Sequence, residues 1–405
     1  MTMLSTWPSI AIVALAIAVL CSGRVFAFLD APPSAHAHRL DSIDGLRGIL
    51  ASAVFIHHFS MSCYNYVHHT AGAPPDPFYG FIGTGSVSVF FMITGYLFWG
   101  RLLDRKGDIK WPELYINRLF RVYPLYLFLI LMYFAWVAWH AGVPANEPIE
   151  NIVGQTLQWL AFGAVQNPDP FLTHGEYIGL VGQTWSLHWE WAFYLALPAL
   201  AVFARERSAI AVTGGLLLML MASVDLVSQP NVFFIEQFLI GMLTASVLRA
   251  LPQLRGNGPI RSGLAAVAVT AAIWFSNGLA YANNTTALLG VFFFLVASGT
   301  SLFGTLTTTG AKRLGNLSYS IYLLHGLLIN VIFTFTNALY HVNHSDRRYW
   351  VVTAVMYAIV VLASIATYSF IEKPGIALGR KMSRKFPQLK TSMAHHIPGN
   401  ADSSS

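Results

Sequence analysis

Charge is scarce in this chain. Only 10% of its 405 residues are Asp, Glu, Lys or Arg, where a soluble globular protein carries roughly 25%. That shortage, with apolar residues at 55% and a mean hydropathy of +0.55, excludes a disordered or fibrous chain and argues against an ordinary soluble enzyme. Cysteine is nearly absent too. Cys21 and Cys63 alone supply neither a disulfide framework nor a thiolate metal cage. The one surplus is positive charge, +6 net. Its distribution along the chain separates a nucleic-acid signal from a membrane signal.

A helix that crosses a bilayer needs roughly 20 apolar residues. Stretches of that kind lie near 8–29, 43–62, 79–100, 116–138, 184–204, 209–226, 231–249, 262–281, 286–304, 315–338 and 350–371. The segments between them alternate in chemistry. One set carries Arg101, Arg105, Lys106 and Lys110, then Arg205 and Arg207, then Arg255 and Arg261, then Lys312 and Arg313, and the basic tail. Of the 24 Lys and Arg residues, only Arg347 and Arg348 fall in the other set, which holds Asp76, Glu147, Glu150, Asp169, Glu176 and Asp346. Cationic loops resist translocation, so the basic set and the C-terminus are expected in the cytoplasm and the acidic set outside. The positive charge thus reports topology and not nucleic-acid binding. The expected fold is an all-α polytopic integral membrane protein, with about ten core transmembrane helices plus one N-terminal helix.

The division expected along the chain is residues 1–38 as the N-terminal transmembrane helix and linker, 39–374 as one membrane domain, and 375–405 as a basic, disordered tail. Residues 1–7 carry no Lys or Arg, and the first positive flank, Arg24 and Arg39, follows the apolar run. That order favours a retained helix with an outward N-terminus, although cleavage after Val25-Phe26-Ala27 would also fit a leader peptide.

Three constellations carry chemistry. In Asp44-Gly45-Leu46-Arg47-Gly48, followed by His57 and His58, Arg47 starts a membrane helix. His58 comes eleven residues later, close to three whole turns and about 16 Å along the axis on the same face. An ionisable group inside a bilayer is costly and usually functional, and neutral imidazole is the usual general base near neutral pH. Alternatively, either histidine can merely bond a neighbouring helix. In the second, Arg118 and Arg121 stand three apart in Ile116-Asn117-Arg118-Leu119-Phe120-Arg121, neighbours on one helical face. Paired guanidiniums suit a phosphate or carboxylate ligand, although topology alone would also place them there. The third is Gln183-Thr184-Trp185-Ser186-Leu187-His188-Trp189-Glu190-Trp191-Ala192-Phe193-Tyr194. Glu190 lies inside an apolar stretch, so it is expected to face a polar cavity or a cation. Trp185, Ser186 and Tyr194 are candidate acceptor contacts or supports, as are Glu236 and His325 in later spans. A zinc site from His57, His58, His188 and Glu190 lacks the His-x-x-x-His spacing of helical zinc sites, so no metal is expected.

These motifs resemble membrane acyltransferase family three, integral-membrane enzymes that O-acylate bacterial surface polysaccharides and related acceptors. The resemblance runs from about Leu40 to Pro374. LDSIDGLRGILASAVFIHHF is similar to the family's opening Arg, ten residues, His, which assigns the family histidine to His58. FFMITGYLFWGRL resembles a Phe-rich block, with Thr94 in the serine place. YINRLFRVYPLYL resembles the paired-arginine block, with Asn117 where a further Arg is common. QTWSLHWEWAFYLALP maps the family acid to Glu190, and IEQFLIGMLTA, LGNLSYSIYLLHGLL and FIEKPG resemble later blocks.

The resemblance implies a short acyl group, acetyl or similar, moved from cytoplasmic acyl-CoA to a carbohydrate hydroxyl outside the inner membrane. No permanently bound cofactor is implied. It also implies donor binding at Arg47, Arg118 and Arg121, and catalysis at His58, as general base or acyl relay, and at Glu190. Glu190 is expected nearer the outer face, orienting the imidazole or holding the acceptor. The competing class is a transporter or flippase that uses the same intramembrane residues.

Overall fold

The computed structural model describes residues 6–30, 40–69, 74, 76–140, 148–162, 181–204, 208–223, 230–280, 283–336 and 345–384. Among them there is no β-strand. Thirteen α-helices follow in order: α1 Trp7–Leu20, α2 Asp41–His68, α3 Pro77–Asp104, α4 Trp111–His140, α5 Ile149–Leu160, α6 Trp185–Ala201, α7 Ser208–Ser223, α8 Pro230–Ala250, α9 Pro259–Phe275, α10 Asn283–Ala297, α11 Thr309–Phe335, α12 Asp346–Thr367 and α13 Lys373–Ser383. A π-helical turn, Tyr368–Glu372, joins the last two.

Every expected apolar stretch holds a helix, but five runs are long and apolar enough to cross a membrane: Pro77–Asp104, Trp111–His140, Val232–Ala250, Thr309–Phe335 and the continuous Asp346–Ser383. The others fall short in two ways. α1, α6, α7, α9 and α10 have 14–17 residues, below the roughly 20 a span needs. α2 is 28 residues long but spends much of that length on Asp, Arg, Ser and His. α5 lies in a stretch expected to be loop. Its Ile149, Val153 and Leu157 are exposed while Trp159 is buried, and Tyr126 of α4 donates to the Trp159 carbonyl at 2.5 Å.

Two further boundaries differ from expectation. The first helix stops at Leu20 because Arg313 takes over its end. This buried guanidinium donates to the carbonyls of Leu20, Ser22 and Gly23, satisfying groups that a helix C-terminus leaves open. It also pairs with both oxygens of Asp30, at 2.7 and 2.9 Å. Residues 375–383, expected to be unordered, form α13. Gly375 and Gly379 let that helix lie against Phe120 and Pro124 of α4, and close packing of this kind favours order over a free tail. The rest of that tail and the 32–38 linker lie outside the described residues.

The centre of the bundle is α2 between α3 and α11. α2 and α11 run parallel, with Lys312 pairing Asp41 at 2.9 Å where both begin. Small residues set their spacing. A side chain at Gly48 would strike the backbone at Leu314 and Gly315, and one at Gly315 the Asp44 carbonyl. α3 packs on α8, closed by the Arg249–Asp104 pair at 2.7 Å. α13 packs on α4, and α10 on α9. The starts of α2, α4 and α11 and the ends of α3 and α8 thus share one end of the bundle, where Arg101, Arg105, Lys110, Arg249 and Lys312 also gather. We call it the basic end.

Candidate functional site

Two polar layers lie inside this apolar bundle. The one farther from the basic end is built from imidazoles. His58 of α2 and His325 of α11 stand about 25 and 24 Å along their helices from that end, at about 1.5 Å per residue. His325 Nε2 is 3.1 Å from His58 Nδ1. His58 Nδ1 is also 3.1 Å from the Val54 carbonyl, and His325 Nδ1 is 3.1 Å from the Ile321 carbonyl. His57, whose ring meets that of His58 edge-on at 4.7 Å, is tied by Nδ1 to the Tyr79 carbonyl at 2.6 Å. His325 is completely buried and His58 partly so.

These contacts fix tautomers. A carbonyl only accepts, so His325 Nδ1 must carry its proton and donate to Ile321. In the neutral ring Nε2 is then a bare acceptor. His58 Nδ1 faces two acceptors, that Nε2 and the Val54 carbonyl, and must be the donor. The remaining nitrogen of His58, Nε2, is left with its lone pair and has no hydrogen-bond partner among the described residues. His57, whose Nδ1 donates to the Tyr79 carbonyl, likewise keeps a lone pair on Nε2, so the layer offers two basic nitrogens, and that of His58 belongs to the ring held by His325.

The second layer is nearer the basic end. Arg47, Arg118 and Arg121 stand about 9, 10 and 15 Å along their helices from it. The Arg118 guanidinium lies over the Phe98 ring, 4.8 Å from its centre, a cation–π contact. Arg121 reaches Glu372 at 4.0 Å. Glu372 is buried, accepts from Ser320 at 3.1 Å and sits on the π-helical turn, a geometry frequent at functional sites. Glu190 accepts from Thr94 at 3.4 Å and from Tyr194 at 3.2 Å, and feels the charges of Arg118 and Arg47. Glu372 feels those of Arg121 and Arg47. Arg47, Arg118 and Arg121 thus face the carboxyls of Glu190 and Glu372.

Arg47, Arg118 and Arg121, expected together, come together. Glu190 does not take the place expected of it. Its partners are Thr94, Tyr194, Arg118 and Arg47, those of His58 are Val54, His325 and His57, and the two sets share no residue. α6 is only 17 residues long, so Glu190 lies about 16 Å from the α6 end, level with Arg121. Tyr194 joins the arginine layer, its ring 4.7 Å from Phe98. Ser186 is engaged by Tyr322 at 2.8 Å and serves to dock α6 on α11, together with Gln183, which donates to the Leu323 carbonyl at 2.6 Å. Trp185 stacks on Phe234 with ring centres 4.9 Å apart and is 38% exposed. Glu236 lies in neither layer. Among the described residues no group of three or more His, Cys, Asp and Glu gathers as a metal site.

The sequence reading missed Glu372 as a site residue. Its signal was a lone carboxylate closing the apolar run before Lys373-Pro374, within a block quoted only for its resemblance. The pairing of His325 with His58 was also missed, because no spacing within one helix announces a contact between two.

Residues 40–369 match the model of an acyltransferase domain. The chain belongs to acyltransferase family three. This acyltransferase is 25% identical, over 316 residues, to the exopolysaccharide production protein ExoZ of Rhizobium meliloti (strain 1021), covering 74% of this chain and 91% of that one. No solved structure matches it. The family is one of enzymes transferring acyl groups other than aminoacyl groups.

Proposed function

We propose that this acyltransferase moves a short acyl group from acyl-CoA, entering at the basic end, to a hydroxyl of a polysaccharide or glycoconjugate on the far side of the bacterial inner membrane. The observation that carries the reading is the imidazole layer about 15 Å beyond the arginine layer by helix rise, where His58 is held through Nδ1 by Val54 and His325 and keeps the lone pair of its Nε2. The coenzyme's phosphates pair with Arg47, Arg118 and Arg121, whose planar donors suit them, and its acyl thioester extends toward His58. His58 Nε2 takes the proton of the acceptor hydroxyl. The hydroxyl oxygen forms the ester bond to the acyl carbon, the carbon–sulfur bond breaks, and the proton passes from His58 to the departing thiolate. Glu190 and Glu372 hold the guanidiniums in place for the donor. The name of the ExoZ relative supports a polysaccharide acceptor.

The test is purified protein with radiolabelled acetyl-CoA and the host's surface polysaccharide, followed by mass spectrometry of the glycan. A general base is worth about 10²–10⁴-fold, so His58→Ala loses at least a hundredfold in transfer while remaining inserted. Transfer unaltered by that change refutes the role of His58. Flux across vesicles without a covalent product replaces the enzyme reading with a transporter. Replacing Arg118 and Arg121 with Gln weakens coenzyme A binding and flattens its salt dependence; equal binding before and after removes their role.

A further inference from the structure

Away from both layers, α7, α8 and α10 enclose a cavity of about 350 Å³. Leu217, Ile240, Leu243, Val291 and Phe294 make its walls apolar. Val291 is 52% exposed, so the cavity opens on the side of the bundle that hydrocarbon covers. Glu236 lines it. This carboxyl is completely buried, and neither oxygen has a hydrogen-bond partner among the described residues. The adjoining Gln237 spends its Nε2 on Thr286, another lining residue, at 3.4 Å, while its own Oε1 is also without a partner. The three orphaned atoms are all oxygens. A buried polar group left unpartnered is costly, and what would satisfy these atoms is a hydrogen-bond donor, which no described residue supplies. The walls admit such a donor only on an apolar body.

We propose that this cavity is a lipid site, which binds a hydrocarbon chain ending in a hydrogen-bond donor, a hydroxyl or an ammonium, placed at Glu236. An ester or choline head has no N–H or O–H to donate to these oxygens, so the site favours lipids whose heads carry one.

The experiment uses the full chain in phosphatidylcholine nanodiscs, whose lipid has no donor in its head. Three probes with a mid-chain diazirine are compared: dodecanol, dodecylamine and methyl dodecanoate. After irradiation, peptides covering α8 and α10 are read by mass spectrometry. The expected result is labelling by the alcohol or the amine about tenfold above the ester, concentrated on those two helices; which of the two labels identifies the head. Glu236→Leu abolishes that preference. The leucine removes only unpartnered atoms, so the variant keeps its fold, confirmed by an unchanged or raised melting temperature. Ala287→Leu, which narrows the cavity and leaves the carboxyl in place, lowers labelling by every probe. Equal labelling by the ester, labelling spread over all lipid-facing helices, or a preference that survives Glu236→Leu overturns the proposal.

Discussion

The contact between His325 and His58 makes a quantitative demand. His325→Leu keeps a buried side chain of similar size and removes the bare Nε2 that accepts from His58 Nδ1 at 3.1 Å, together with the Nδ1–H bond to the Ile321 carbonyl of its own helix. The Val54 carbonyl remains as the other acceptor, also at 3.1 Å. His58 therefore keeps its tautomer and Nε2 stays basic, but the ring loses one of two restraints. A neutral hydrogen bond is worth about 0.5–1.5 kcal/mol net, and each 1.36 kcal/mol of barrier is tenfold in rate. The expected cost is thus about two- to tenfold in kcat with KM unchanged, since the proposed donor site lies in the other layer. His58→Ala, by contrast, costs about 10²–10⁴-fold. The assay is steady-state acyl transfer with varied acyl-CoA for wild type, both single variants and the double variant. If His325 acts only through His58, the double variant is no slower than His58→Ala alone. The reasoning fails if His325→Leu is as damaging as His58→Ala, if it leaves kcat untouched, or if its whole effect appears in KM.

Two other changes probe the scaffold and the charge balance. Glu372→Gln removes a buried carboxylate facing Arg121 and Arg47; the unliganded protein should lose about 1 kcal/mol, the 4.0 Å pair being partly exposed on the arginine side. Added coenzyme A should raise its melting temperature more than it raises that of the wild type, and an identical rise in both would contradict the balance described. Arg313→Gln cuts a nearly buried guanidinium from Asp30 and three carbonyls. Breaking a buried pair costs about 3–5 kcal/mol, reduced here to about 2–4 because Asp30 is half exposed; scanning fluorimetry reads the drop, and an unchanged melting temperature shows that α1 is held by other means.

Most of the helices were legible because hydropathy is written residue by residue and needs no partner. What hydropathy could not give was length. α6 is 17 residues long and α7 16, and α1 stops where a residue nearly 300 positions later caps it. The arginine layer was legible for a related reason: Arg118 and Arg121 share a face by spacing alone, and Arg47 begins the neighbouring helix. The place of Glu190 was not: α6 starts where the apolar stretch begins, but the level of Glu190 is set by how α6 docks on its neighbours, through Tyr115 to the Tyr194 carbonyl and Ser186 to Tyr322, and spacing along one helix does not encode that. Glu372 and the partnership of His325 depend on which helices touch, and one-dimensional spacing does not encode that.

The glycine contacts between α2 and α11 carry a mechanical consequence. At Gly48 and Gly315 the two backbones meet with no side chain between them, so neither helix can slide or tilt against the other without collision. His58 and His325 ride on these two helices and travel as one piece. Any gate that serves the proposed transfer must therefore swing on the surrounding elements, with the α2–α11 pair as its fixed post.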